Sequence, residues 1–190
     1  MDTETLGRSR LMNLLAKPGG VSMDSRLRRW FMNPKRTLLA SGIKPGQTVL
    51  EVGCGPGFFT LDAAELIGEQ GRLIAMDPLS DYVKTLKSKV RQAGLKNVEV
   101  LQRDALNTGL DANSVDLVLL FGVLPFPTLP LSHLLPEMHR VLKPGGSMSV
   151  WLFPTAAVVP SAIIRSGLFQ LTGRQNRVFN YRPVSTAIRQ

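Results

Sequence analysis

Val49-Leu50-Glu51-Val52-Gly53-Cys54-Gly55-Pro56-Gly57 decides the fold. Residues 47–52 form a short β-branched apolar run after the turn residues Lys44-Pro45-Gly46, which reads as a buried strand. The strand enters a turn with glycine at 53, 55 and 57, and residues 58–67 then read as a helix closed by Gly68 and a turn at Gly71. Glycines suit this place for two reasons. A Cβ would keep a ligand off the backbone, and the turn needs backbone angles that other residues resist. Amides exposed at the helix start would favour a carboxylate or phosphate. A tight strand-to-helix turn with no ligand is the alternative reading of the same residues.

Outward from this turn, strands alternate with helical patterns, the signature of a parallel sheet covered on both faces. Residues 72–76 read as the second strand. Residues 80–93 show helical apolar spacing at Tyr82, Val83, Leu86 and Val90, and stop at Gly94. Residues 98–101 give a third strand, and Val115–Phe121, almost wholly apolar, a fourth that is buried on both faces. A helix containing Pro136 leads into the turn Lys143-Pro144-Gly145-Gly146 and a fifth strand over 147–153. Pro160 opens a short helix to Gly167. Residues 168–172 and 177–182 read as a hairpin at the sheet's edge, turning at Gly173. The expectation is an α/β, Rossmann-like, doubly wound, mostly parallel seven-stranded sheet ending in an antiparallel hairpin.

Composition sets the outer bounds. The 190 residues are 44% hydrophobic and 19% charged, which suits one ordinary domain and excludes a disordered or collagen-like chain. The single cysteine, Cys54, excludes a disulfide framework and a multi-cysteine zinc site, and points to a reducing compartment. No apolar run reaches the roughly 18 residues of a membrane span, and no signal-like start is seen. The expected location is cytoplasmic, with peripheral membrane contact as an extension.

The net charge of +9 is unevenly spread. Residues 1–36 carry eight Lys/Arg against three acidic side chains, net +5. Residues 37–137 carry eight against eleven, net −3, and after Glu137 seven basic side chains face no acidic one. Two basic ends thus flank a near-neutral centre. They read either as an arginine-rich soluble surface or as attraction to an anionic partner, RNA or a membrane face.

Two aspartates strengthen the glycine turn. Asp77 follows the second strand, where it can accept hydrogen bonds from both hydroxyls of a ribose. Asp104, in Arg103-Asp104-Ala105 after the third strand, is placed for an exocyclic base amine. Each could instead be a helix cap. Three such features at the ends of successive strands fit a nucleoside site at the switch point of the sheet. The glycine spacing is Gly-x-Gly-x-Gly, whereas a nicotinamide dinucleotide site wants Gly-x-Gly-x-x-Gly and a separate substrate domain.

The run Glu51-Val52-Gly53-Cys54-Gly55-Pro56-Gly57, with Ala75-Met76-Asp77, Arg103-Asp104-Ala105, Asp116-Leu117-Val118 and Val141-Leu142-Lys143-Pro144-Gly145-Gly146, resembles the class I S-adenosylmethionine-dependent methyltransferases. The resemblance covers roughly residues 35–185, in the family's order, and is similar in flavour to the quinone and small-molecule methylating branch. It implies S-adenosylmethionine as cofactor and S-adenosylhomocysteine as product. Gly53 and Gly55 would approach the methionine half, with Glu51 supporting the loop. Asp77 would hold the ribose, Met76 would line the adenine face, and Asp104 and Ala105 would meet the adenine edge. Phe121 would sit beside the sulfonium and the acceptor. Quinone-type relatives tend to carry histidines after the fourth strand. This chain has Gly122-Val123-Leu124-Pro125-Phe126-Pro127 there, which points away from a quinone acceptor and from a histidine base at that place.

A sulfonium methyl is already activated, so in-line transfer needs positioning and exclusion of water more than acid or base groups. No metal is expected. His133, near the fourth-strand loop, is the one weak candidate for a base, and His139, Tyr82 and Tyr181 read as structural. Residues 1–34 read as a basic helical segment, with Trp30 and Phe31 among arginines, and form a candidate lid over a methyltransferase domain at 35–190. Trp151 and Phe153 fall near the expected site among few polar residues, which favours a small hydrophobic or lipid-like acceptor. The alternatives are an RNA methyltransferase and a non-catalytic cofactor-binding module.

Overall fold

In the computed structural model, residues 33–125, 129–152 and 158–185 are described. Helix α1 (Pro34–Ala40) starts with Pro34, whose missing N–H costs nothing in the first turn, and is capped by Asn33, whose side chain accepts from the Arg36 amide at 3.1 Å. There follow β1 (Thr48–Val52), α2 (Thr60–Ile67), β2 (Arg72–Asp77), α3 (Ser80–Gln92), β3 (Val98–Gln102), β4 (Val115–Phe121), α4 (Leu131–Val141), β5 (Leu142–Trp151), α5 (Val159–Arg165), β6 (Phe169–Gln175) and β7 (Val178–Pro183). The strand order is β3-β2-β1-β4-β5-β7-β6. All pairs are parallel except those of β7, which runs antiparallel to β5 and β6. The seven-stranded, doubly wound sheet with a terminal hairpin is the architecture expected from the sequence.

Alternation along the strands divides the core into two layers. Val49, Leu73, Leu117, Leu119 and Phe121 meet α1 and α2 on one face, and Ala75 and Val100 meet α3 through Val83, Leu86 and Val90. On the other face Leu50, Val52, Ile74, Val118, Leu120, Met148 and Val150 pack against Leu134, Leu135 and Met138 of α4 and Ile163 of α5. Burial of the central strands on both faces explains their unbroken apolar runs.

Local departures from the sequence reading have physical causes. Helix α2 begins at Thr60, not 58, because the turn extends through Phe58 and Phe59, whose rings meet edge-to-face at 4.8 Å. Lys143-Pro144-Gly145-Gly146 is not a separate turn but the opening of β5, absorbed beside β4 as a register shift between Val115 and Leu117. The hairpin turns at Asn176-Arg177, with φ of 49° and 64°, not at Gly173, which lies in a register shift of β6. The fifth strand ends at Trp151, and Phe153 lies outside the described residues. Of the candidate lid at 1–34, only Asn33 and Pro34 are described.

Two polar nodes fix the layers. Asp116 accepts from the Thr48 amide at 2.8 Å and from Lys143 Nζ at 3.0 Å, tying β1, β4 and β5 at one edge. Buried Ser149 donates to Asn180 Oδ1 at 2.6 Å, while Asn180 Nδ2 donates to the Ala40 carbonyl at 2.9 Å, pinning the end of α1 to β5 and β7.

Candidate functional site

The order reverses between β1 and β4, so the loops leaving their ends diverge and open a crevice. The glycine turn forms its floor. Gly53, Gly55 and Gly57 have φ of 67°, 53° and 93°, a left-handed region that favours glycine. At Gly53 the demand is also steric, since a Cβ there would stand 2.2 Å from Val123 Cγ1. Val123, two residues beyond β4, therefore closes over the turn. The sequence reading did not single it out, because an isolated valine in a loop carries no chemical signal.

The turn's amides are engaged inside the protein. The Met76 carbonyl accepts from Gly53 N at 2.8 Å and Cys54 N at 3.1 Å, and the Cys54 carbonyl accepts from Gly57 N at 3.0 Å. Asp77 Oδ2 accepts from Gly55 N at 3.0 Å, and its Oδ1 accepts from Leu79 N at 2.9 Å. The amides of Gly53, Cys54, Gly55 and Gly57 are therefore not free for a ligand. The turn is held by its neighbours, and its charge comes from carboxylates. Lys89 Nζ adds a bond to the Pro56 carbonyl at 2.8 Å from α3.

Glu51 is buried on β1 beneath the turn and accepts from Thr60 Oγ1 at 2.7 Å, so it joins the strand to the first turn of α2. Burial pushes its carboxyl up to about 8; the Thr60 bond opposes the shift and nearby Asp77 adds to it. Asp77 is pushed up to about 6, again by burial, against the pull of the Leu79 and Gly55 amides. The Cys54 thiol is raised by burial and then by the charges of Glu51 and Asp77, and the Tyr82 hydroxyl on α3 is raised by burial and Asp77. Two carboxylates close enough to disturb each other thus lie under a glycine floor. Asp77 keeps acceptor capacity beyond its two amides, since each carboxylate oxygen has two lone-pair directions.

The remaining sequence candidates occupy different places. Asp104 lies just past β3, half-buried, with Oδ1 accepting from Leu106 N at 2.9 Å. Its neighbour Ala105 is buried. Gln102 Nε2 donates to the Pro78 carbonyl at 3.2 Å and ties the loops after β2 and β3 together. The Met76 side chain is buried in the core, and its carbonyl is what reaches the turn. Phe121 ends β4 against Phe59, ring centroids 5.1 Å apart. His133 is exposed in the first turns of α4. His139 bonds the Val184 carbonyl at 2.9 Å and packs on Phe169, which accounts for it structurally. Among the described residues no cluster of His, Cys, Asp or Glu is arranged to hold a metal ion, and no helix is long and apolar enough to cross a membrane. A cavity of about 270 Å³ lies away from the crevice, lined by Thr48, Arg72, Glu99 and Arg103 among others.

Comparison with known proteins agrees with this geometry. Residues 49–146, just over half of the chain, match the model of a methyltransferase domain family. A demethylmenaquinone methyltransferase from Bacillus cereus (strain ATCC 10987 / NRS 248) is 36% identical over 115 residues, 60% of this chain and 48% of that protein. The chain therefore spans about half the length of the curated relatives it matches. A SAM-dependent methyltransferase from Aquifex aeolicus aligns with a TM-score of 0.74 at 26% identity, over 86% of this chain and 95% of that one. A structure described as a putative rRNA-methylase from Clostridium thermocellum aligns at 0.58 and 20% identity, over 75% and 89%, and shares the fold alone.

Proposed function

The chain belongs to the methyltransferase domain family, in its class I S-adenosylmethionine-dependent form, and from that premise we propose that it methylates a small hydrophobic or amphipathic molecule. One observation carries the reading. A glycine floor with its own amides satisfied lies beside two buried carboxyl groups, Glu51 and Asp77, and the ionised Asp77 favours hydroxyl donors and positive charge over an anion. A dinucleotide or free phosphate brings negative charge. S-adenosylmethionine brings an ammonium, a sulfonium and a carboxylate, net one positive charge, with a ribose diol, and when bound supplies a methyl group activated for in-line displacement.

The chain's own contribution is placement. Asp77 would accept from ribose hydroxyls while it holds the Gly55 amide, so one carboxylate would orient both ligand and turn. Asp104 and the buried Ala105 would bound the base. Glu51, held by Thr60, keeps the strand end and helix start together. Val123 and Phe121, from the loop and end of β4, would press on the reacting region and keep water out.

The apolar ends of β4 and β5, Phe121 and Trp151, support the choice of acceptor. The relative from Bacillus cereus bears the name of a demethylmenaquinone methyltransferase, itself a lipophilic acceptor. Residues 122–127, directly after β4, include no histidine, so the acceptor proposed is the broader apolar class. The basic ends of the chain favour RNA as the second reading. Incubation with methyl-labelled S-adenosylmethionine and cell extract, followed by separation of lipid, small polar, protein and RNA fractions, tests the choice. Label in the lipid or small-molecule fraction is expected. Label confined to RNA would replace the reading, and cofactor binding with no label in any fraction would favour a binding module.

A further inference from the structure

We infer that the face built by α5 and the β6–β7 hairpin docks on an anionic lipid bilayer. Residues 158–185 hold four arginines, at 165, 174, 177 and 182, and no acidic side chain. Aliphatic side chains stand exposed among them: Val158 is 71% exposed, Ile164 46% and Leu171 43%. Leu171 is opposite Tyr181, and Arg174 opposite Phe179, so Leu171 and Arg174 lie on the sheet face that α5 covers. Ile164 and Arg165 end α5 just before β6 begins at Phe169, toward the end of the hairpin away from its turn.

The position of the face matters as much as its composition. Val178 pairs with Trp151, the last residue of β5, so the Asn176-Arg177 turn projects past the edge of the sheet that carries Gly53 and Asp77. Arg174 and Arg177 in a headgroup layer, with Leu171 on the same hairpin, would bring the acceptor side of the crevice to the membrane. An RNA surface of the same charge would offer aromatic rings for bases to stack on. Among the described residues of this face, Phe169 and Tyr181 are buried and Phe179 is covered by Arg174, 4.8 Å from its ring centroid. Exposed aliphatics serve a bilayer and give RNA nothing to stack against.

The inference goes beyond the acceptor proposal, and its test needs no acceptor. Full-length protein is co-sedimented with phosphatidylcholine vesicles, with and without about one-third phosphatidylglycerol. Binding to the anionic vesicles alone is expected. Arg174→Gln with Arg177→Gln should weaken it by about fivefold per arginine. Ile164→Ser with Leu171→Ser should weaken it severalfold, with the circular-dichroism melt and S-adenosylhomocysteine affinity unchanged in both pairs. Absence of vesicle binding, equal binding to neutral vesicles, or binding that either pair leaves unaltered overturns the inference. So does retention of a polyuridylate probe, sensitive to the arginines, in protein that ignores vesicles. Because vesicle binding is read without methyl transfer, its failure leaves the acceptor proposal standing. Label in a polar small-molecule fraction would likewise leave this one standing.

Discussion

The two halves of the sheet use their polar residues in opposite ways. On β1, β2 and β3 each acidic side chain has a specific bond: Glu51 to Thr60, Asp77 to two backbone amides, Glu99 to Arg72. Around β6 and β7 the charges are arginines pointing outward, and the one buried side-chain N or O atom without a hydrogen-bond partner among the described residues is Tyr181 Oη. The first half is built to define a small ligand atom by atom. The second has the character of a surface, where the density of charge and apolar area matters more than any single contact.

Substitutions should separate the halves. The largest effect is expected at Gly53→Val. Its Cβ would enter the space of Val123 Cγ1 in a left-handed backbone, and S-adenosylhomocysteine affinity by calorimetry should fall about a hundredfold. Asp77→Ala should cost at least about tenfold in the same titration while the cooperative melt survives, because it removes an acceptor for the ribose and the anchor of Gly55. Unchanged affinity would remove Asp77 from the ribose role and blur the contrast between the halves.

The pH dependence is a smaller effect with a definite sign. Glu51 and Asp77 are raised in the folded state, to about 8 and about 6, so each is harder to ionise folded than unfolded. Their contribution to stability is complete below the ordinary carboxylate range and is lost as pH climbs toward 8. One such group gives a slope of at most about 1.4 kcal/mol per pH unit. Glu51→Gln keeps an acceptor for Thr60 but cannot ionise, so its melting temperature should vary less between pH 5 and 8 than the wild-type's. A cationic ligand favours the ionised carboxylates, so affinity should rise across that range with release of protons, measurable by calorimetry in buffers of different ionisation enthalpy. Affinity that falls as pH rises would contradict a carboxylate-lined cation site.

The smallest effect belongs to the other half. Tyr181→Phe removes a buried hydroxyl with no hydrogen-bond partner among the described residues, and a gain of about 1 kcal/mol in urea unfolding is expected, with cofactor affinity unchanged. A loss would mean that the hydroxyl has a partner in solution.

The same contrast governs what could be read from sequence. The glycine turn and Asp77 were legible because left-handed glycines and an acidic residue after a strand carry chemistry in their identity and spacing. The bonds that satisfy the turn were not, because the Met76 carbonyl is a backbone group that any residue would supply. Val123 closes over Gly53 only once β4 lies beside β1, a contact 70 positions apart in the chain. The hairpin was legible as two strands but misplaced in its turn. Gly173 drew the reading, while Asn176 and Arg177 adopt positive φ at a cost met by strand pairing on both sides. Asn180 gave no hint that it would hold Ser149 and the end of α1, since only β7's place in the sheet brings those groups together.

Strand β6 forms an outer margin of the sheet, and so presents main-chain groups that a second molecule could use as a template. The register shift between Leu171 and Gly173 interrupts that template, and the arginines at 174, 177 and 182 make two copies repel as they approach. The chain thus guards against self-association with the same residues that give the hairpin its positive field. Concentrated stocks should stay clear at low ionic strength, and charge-neutralised versions of the hairpin should be the first to cloud.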